Sequence, residues 1–233
     1  GEPEHAETVL SVLAKLGLTA EALRCGAHPP LHKPTAEAML RSGEPFTAVH
    51  NNCSGKHAGM LALALHFGAD PADYLRPDHP VQRAMLAAFA HFAGVPEESV
   101  ALGTDGCGVP TFGVPLSALA RAFAAFGLPP EGDPYAQAAR SLADAVRRHP
   151  RMIAGSGRFD TDLIAATGGR VLGKSGAEGV FAAAVPELGI GLAVKIEDGA
   201  QRALFPAVAE ALLQLGVFRT AEAEALAGHR RPL

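Results

Sequence analysis

The polar run His50-Asn51-Asn52-Cys53-Ser54-Gly55-Lys56-His57 crowds thiol, hydroxyl, amine and imidazole groups between a short β-prone stretch and an apolar helical one. The free backbone N–H groups at a helix entrance favour an anionic ligand, although the same run also reads as a helix-capping loop. A phosphate-binding loop would need glycine five positions before Gly55 and Ser or Thr after Lys56, to fit the phosphates and hold magnesium. His50 and His57 stand at those places, so no nucleotide cofactor is expected. A second run, Gly103-Thr104-Asp105-Gly106-Cys107-Gly108-Val109-Pro110, follows the apolar SVAL. Its glycines permit tight turns and close backbone approach to a ligand. Asp105, placed at a strand end, either makes an Asx turn or orients an amino group or a catalytic amide by ionic hydrogen bonding. Ser54 and Thr104, beside the glycines, are candidate hydrogen-bond donors to substrate, or structural hydroxyls.

The third run, Lys174-Ser175-Gly176, ends the stretch RVLGK. Read as chemistry, it resembles the K-[ST]-G strand of serine acylases, in which lysine and hydroxyl flank the reacting acyl group; read otherwise, it is a surface turn. Such enzymes activate a serine three residues before a lysine on one helix face. The chain contains no Ser-x-x-Lys. The nearest spacing is Cys53-Ser54-Gly55-Lys56, which places a thiol near an amine or gathers two metal ligands.

The elements that position these residues follow from periodicity. Ala6, Val9, Leu10, Leu13 and Leu16 recur at helical spacing before Gly17, and Thr19 and Thr35 are expected caps. Prolines around His28 predict an irregular loop. Thr47, Ala48 and Val49 predict a short strand, and AGMLALALHF a helix ended by Gly68. Val81, Met85, Phe89 and Phe92 make one helix face, and Asp133-Pro134 predicts a cap with proline at the first helical position. After Gly168-Gly169 the runs RVLGK, GVFAAAV and IGLAVKI, separated by SGAE and PELG, predict antiparallel strands. A closing helix buries Ala203, Leu204, Ala207, Val208, Ala211, Leu212 and Leu215. The reading is one domain over 1–233, helix-rich to about residue 150 and sheet-forming over about 151–233.

Of 233 residues, 48% are hydrophobic, which is enough for a sizeable core, and the formal net charge of −4 gives no positive field for nucleic acid or an anionic membrane. No run reaches the roughly 20 apolar residues that span a bilayer. A small-molecule partner is therefore expected. Cys25, Cys53 and Cys107 form no dense disulfide framework, which fits a cytoplasmic protein. Cys25 lies outside any motif and is assigned a small buried apolar role.

Together HNNCSGKHAGML, LGTDGCGVPTFGVPL and LGKSGAEGVF, in this order, resemble the asparaginase II family, also called the Rhizobium etli type. The resemblance implies an α/β fold with helices packed around a mainly antiparallel sheet, like serine β-lactamases and glutaminases. It implies hydrolysis of L-asparagine to L-aspartate and ammonia with serine and lysine pairs, and homodimerisation is expected at the family level. Lys174 matches the family's later lysine and is the candidate base, provided that burial or positive neighbours leave its amine neutral. Asp105 is the candidate substrate-orienting carboxylate, with Ser54, His57, Thr104 and Ser175 as further substrate contacts. Cys53, Lys56 and Cys107 match a cluster that the resemblance implies holds zinc beside the substrate, with lysine an uncommon zinc ligand. The alternative is a buried, reduced cysteine pair with Lys56 salt-bridged to Asp105. GEPEH looks like the continuation just after one of the family's serines. The nucleophile is therefore expected before Gly1, and the chain is expected to be N-terminally incomplete and deficient on its own. The competing class is a noncatalytic amino-acid-binding or regulatory module.

Overall fold

The computed structural model describes residues 1–230 and is a mixed α/β protein, with two antiparallel sheets among those residues. It divides into two compact units, Gly1–Ala88 with Glu97–Gly113, and Phe89–Pro96 with the chain from Val114 onward.

In the first unit α1 (Pro3–Lys15) begins with proline in its first turn and buries Ala6, Val9 and Leu13, one face at helical spacing. The helix α2 (Lys33–Ser42) starts from His32, not from Thr35. Pro34 fits the first turn without an N–H, which moves the start upstream of the threonine, and the Thr35 hydroxyl instead lies 2.8 Å from His32 Nδ1. The expected strand at Thr47–Val49 is a 3₁₀ turn, Ala48–His50. Thr47 N–H donates to His50 Nδ1 at 3.0 Å, a local cap that draws these β-prone residues out of extended geometry. The apolar helix α3 (Ser54–His66) follows and buries Ala58, Met60, Leu61 and Ala64, with Gly68 beyond its end at φ 64°. The helix α4 (Pro80–Ala93) belongs to this unit up to Ala88. The strands β1 (Ala101–Thr104) and β2 (Pro110–Gly113) form a hairpin in which Thr104 faces Pro110, so residues 105–109 are its loop. Leu13, Leu61, Tyr74, Val81, Cys25, Cys107 and Val109 share the core of this unit. Cys25 is buried there as expected, its Sγ 3.4 Å from the Ala48 carbonyl oxygen.

In the second unit α5 (Leu116–Gly127), α6 (Ala136–Arg148), α7 (Arg151–Ala154) and α8 (Phe159–Ala166) precede the sheet. Asp133 Oδ1 accepts the Tyr135 N–H at 2.7 Å, so it does cap a turn, but α6 itself begins at Ala136. The strands β3 (Leu172–Ser175), β4 (Val180–Val185) and β5 (Ile190–Lys195) are antiparallel in the order β3-β4-β5, with Lys174 opposite Ala182. All three lie where the apolar runs placed them. The central strand β4 buries Phe181 through Val185, both faces of the pleat, because helices cover it on two sides. On one side α5 meets the sheet so closely that a Cβ at Gly191 would lie 1.8 Å from Ala120 O and 2.7 Å from Ala124 N. Only glycine fits there. On the other, Phe159, Leu163, Phe181, Leu204, Val208 and Leu212 pack together. The last three come from α9 (Gln201–Gln214), whose buried face is narrower than the periodicity predicts: Leu215 is 46% exposed, at the position where the helix stops. The helix α10 (Thr220–Ala225) is held to the unit by a buried ion pair, Arg170 with Glu222. Among the described residues no helix is long and apolar enough to cross a membrane.

Candidate active site

Two polar segments of the first unit, the entrance of α3 and the loop of the β1–β2 hairpin, meet through their side chains. Asn51 builds the first. Its Oδ1 accepts the Cys53 N–H at 2.7 Å, while its Nδ2 donates to the carbonyls of Cys25 at 2.8 Å and Gly26 at 3.1 Å. This buried amide uses donor and acceptor together to fix where α3 begins. The second segment is closed by Asp105 N–H to Val109 O and Gly108 N–H to Asp105 O, both at 2.8 Å, with Gly108 at φ 83°. The turn leaves the Asp105 carboxylate facing α3. Its Oδ1 accepts the Gly106 N–H at 2.8 Å, and its Oδ2 accepts Lys56 Nζ at 2.9 Å and the Cys107 thiol at 3.5 Å.

Cys53 Sγ, a carboxylate oxygen of Asp105 and Cys107 Sγ all lie within 4.8 Å of one another. Cys53, Lys56 and Cys107, separated in sequence, are thus brought together, and Asp105 joins them. Both readings of the residues have their contacts here: the Asx-type turn and Lys56–Asp105 salt bridge of the structural one, and the clustered donors of the chemical one. The spacing of the sulfur atoms is of the order that two Zn–S bonds of about 2.3 Å would span.

The electrostatics follow from half-burial. The Lys56 hydrogen bond holds the Asp105 carboxyl below its ordinary value, against the opposing effect of burial. Burial alone would lower Lys56, but the Asp105 hydrogen bond and the thiols beside it leave it raised, an ammonium. Burial pushes the Cys53 thiol up to about 11, outweighing the pull of Lys56, so proximity to the amine does not make it a ready thiolate nucleophile.

His57, also on α3, is fully buried, and burial together with Lys56 brings it down to about 4, a neutral ring. Its Nδ1 lies 2.6 Å from the Tyr74 hydroxyl, which accepts the Arg24 N–H at 2.9 Å. With the hydroxyl proton given to Nδ1, the histidine proton sits on Nε2, and that atom is buried without a partner. Ser54 is buried in the first turn of α3, whereas Thr104 is exposed. Thr104 lines an open pocket of about 270 Å³ with Leu75, Pro77, Leu102 and Gly108.

In the second unit Lys174 and Ser175 end β3. Lys174 Nζ donates to the Ser175 carbonyl and lies 3.7 Å from Asp160 Oδ1. The lysine side chain is 51% exposed, and the charged group beside it is the Asp160 carboxylate. Ser175 is buried, and its N–H donates to Asp160 Oδ1 at 2.5 Å. Asp160 escaped the sequence reading, as did Asn51 and Tyr74. Asn51 carried a signal, as an asparagine just before a helix start. Asp160 carried none, because its partners are 14 and 15 residues away at the end of β3.

A family model described as L-asparaginase II matches residues 1–233, the whole chain. No curated protein matches.

Proposed function

The chain belongs to the L-asparaginase II family, whose reaction is asparaginase-type amide hydrolysis of an amino-acid substrate, and we propose that here it proceeds on L-asparagine by serine/lysine acyl transfer. A serine oxygen attacks the side-chain amide carbon, the C–N bond breaks, ammonia leaves with a proton, and water releases L-aspartate from the acyl ester. Donors directed at the developing oxyanion lower the barrier to each step. By the family resemblance Asp105 is the carboxylate for the substrate α-ammonium group and Lys174 the proton-transfer residue, with Ser54, His57, Thr104 and Ser175 as the further residues assigned to substrate.

The observation that carries this reading is the Asp105 carboxylate. One oxygen is held by a backbone N–H and the other by Lys56, and its side chain is 36% exposed, so it is both fixed and reachable. The donors beside it fit a metal. Two thiol sulfurs and a carboxylate oxygen converge next to the Lys56 nitrogen, and the reading assigns Cys53, Lys56 and Cys107 as zinc ligands, which would require both thiols and the Lys56 ammonium to give up their protons as the metal binds. Zinc bound there would supply fixed positive charge and tie the α3 entrance to the hairpin loop.

A second reading, a noncatalytic amino-acid-binding module, is favoured by one fact: the 233 residues contain no Ser-x-x-Lys. For that reason the 233-residue polypeptide assayed alone is expected to release no ammonia above the water blank, while binding L-asparagine in calorimetry. Wild type should carry one zinc by elemental analysis, lost in Cys53→Ser and Cys107→Ser. Turnover that is restored in the product of the complete reading frame selects the enzyme; binding without turnover in both forms selects the module. Robust turnover by the 233 residues, lost on Cys53→Ala, would overturn the serine mechanism, and a metal-free wild type would overturn the zinc assignment.

A further inference from the structure

Asp160 is the one carboxylate among the described residues with a fully buried, unpartnered oxygen. The residue is 0% exposed and its Oδ2 has no hydrogen-bond partner. A buried carboxylate is costly unless its surroundings compensate it, and a native structure that keeps such a group has a reason for it. Part of the compensation is local. Asp160 lies in the first turn of α8, where the helix dipole favours negative charge. The rest is directed at the end of β3. Oδ1 takes the Ser175 N–H, the carbonyl of that same Ser175 takes Lys174 Nζ, and Nζ lies 3.7 Å from Oδ1.

Ser175 is thus clamped at both ends of its backbone, on one side by Asp160 and on the other by Lys174. The strand below is held too: a Cβ at Gly173 would meet Phe181 Cζ at 2.6 Å and Leu163 Cδ2 at 3.0 Å, so β3 is pressed against the core on which α8 sits. Nothing in this arrangement leaves the lysine amine to find its place unaided.

We propose that Asp160 is the positioning carboxylate of Lys174. It sets the end of β3 through the Ser175 N–H, and by its charge it keeps Nζ at the one place from which a proton is exchanged with the reacting group. The inference rests on the reading of Lys174 as the proton-transfer residue.

Asp160→Asn separates the two halves of the role, because the amide oxygen still accepts the Ser175 N–H in a side chain of the same shape while the charge is gone. In the product of the complete reading frame, kcat for ammonia release should fall about 100-fold with KM unchanged to within about threefold, the pattern of a misplaced reacting group and not of lost substrate binding. The melting temperature should stay near that of wild type. An Asn variant with kcat within about threefold of wild type, alongside an inactive Lys174→Met, overturns the positioning role alone. Turnover by Lys174→Met retires the Lys174 reading and the positioning role with it. If the Asn variant does not fold, Asp160→Ala in added formate gives the answer. Turnover restored by formate and not by formamide supports the proposal, and turnover that formate leaves unchanged overturns it.

Discussion

In a form of the protein that turns over L-asparagine, Lys174→Met lowers the rate of ammonia release by about 100- to 10,000-fold, the range that one positioned proton-transfer group contributes. The loss falls on kcat and on kcat/KM alike, since Lys174 is assigned to the reaction step and not to holding the amino acid. The substitution is chosen because it spares the scaffold. Methionine matches the length of the lysine stem, the side chain is half exposed, and the backbone pairing of β3 with β4 does not involve it. The cost to stability comes from Asp160, which loses its counter-charge but keeps the Ser175 N–H. Circular dichroism of the purified variant should therefore still show the folded protein, with a melting temperature below wild type, while the coupled ammonia assay reads background. Near-normal turnover in a folded variant would mean that Lys174 moves no proton in this reaction.

Glu222→Ala destabilises the second unit by about 3 kcal/mol, the lower end of the cost of leaving one partner of a buried ion pair uncompensated. Arg170 donates to both Glu222 oxygens, at 2.7 and 2.5 Å, and also to the Val217 carbonyl at 3.2 Å. The side chains are 18% and 10% exposed, too little for solvent to take over, and Arg170 Nε is buried with no partner of its own. Glu187, 3.5 Å from the guanidinium, remains beside it to replace Glu222 in part, which is why the lower end applies. Glu222 also accepts the Arg219 N–H at 2.7 Å, so the first turn of α10 loses its cap in the same variant. Burial pushes the Glu222 carboxyl up, but the Arg170 and Arg219 hydrogen bonds more than offset it and leave it below the ordinary 4.5. The sign follows. The contribution is complete above about pH 4.5 and disappears as pH falls through the lowered value, so urea midpoints of wild type and variant should converge in acid and diverge at neutrality.

The sheet and the clustered site were legible for different reasons. Strands β3, β4 and β5 announce themselves because each is an apolar run closed by glycine-bearing turns, a local property that the packing then respects. The convergence of Cys53, Lys56, Asp105 and Cys107 is a tertiary fact, and what made it readable was the family resemblance of the two motifs, since no spacing within either run predicts the other. Thr47 to Val49 misled because β propensity registers branched side chains and not the cap that His50 offers to Thr47. Thr35 misled because a threonine looks like a cap wherever it precedes apolar residues, while the proline before it had already begun the helix. Asp160 was beyond reach. Its surroundings, the end of a strand and the amine of a neighbouring lysine, exist only once β3 has been laid beside α8.

The seat of α5 on Gly191 has a consequence for motion. A helix whose backbone touches the strand beneath it cannot slide or lift by small amounts, because no side chain stands between them to deform. The amide protons of Ala182, Ala183 and Ala184, at the centre of the sheet under that helix, should exchange with deuterium only when the second unit opens as a whole. Those of β1, exposed along its entire length in the first unit, should exchange by local fraying, orders of magnitude sooner. In an exchange time course by mass spectrometry, peptides covering β4 would then report the global stability of their unit, and the strand that leads into the Asp105 loop would be the first to loosen.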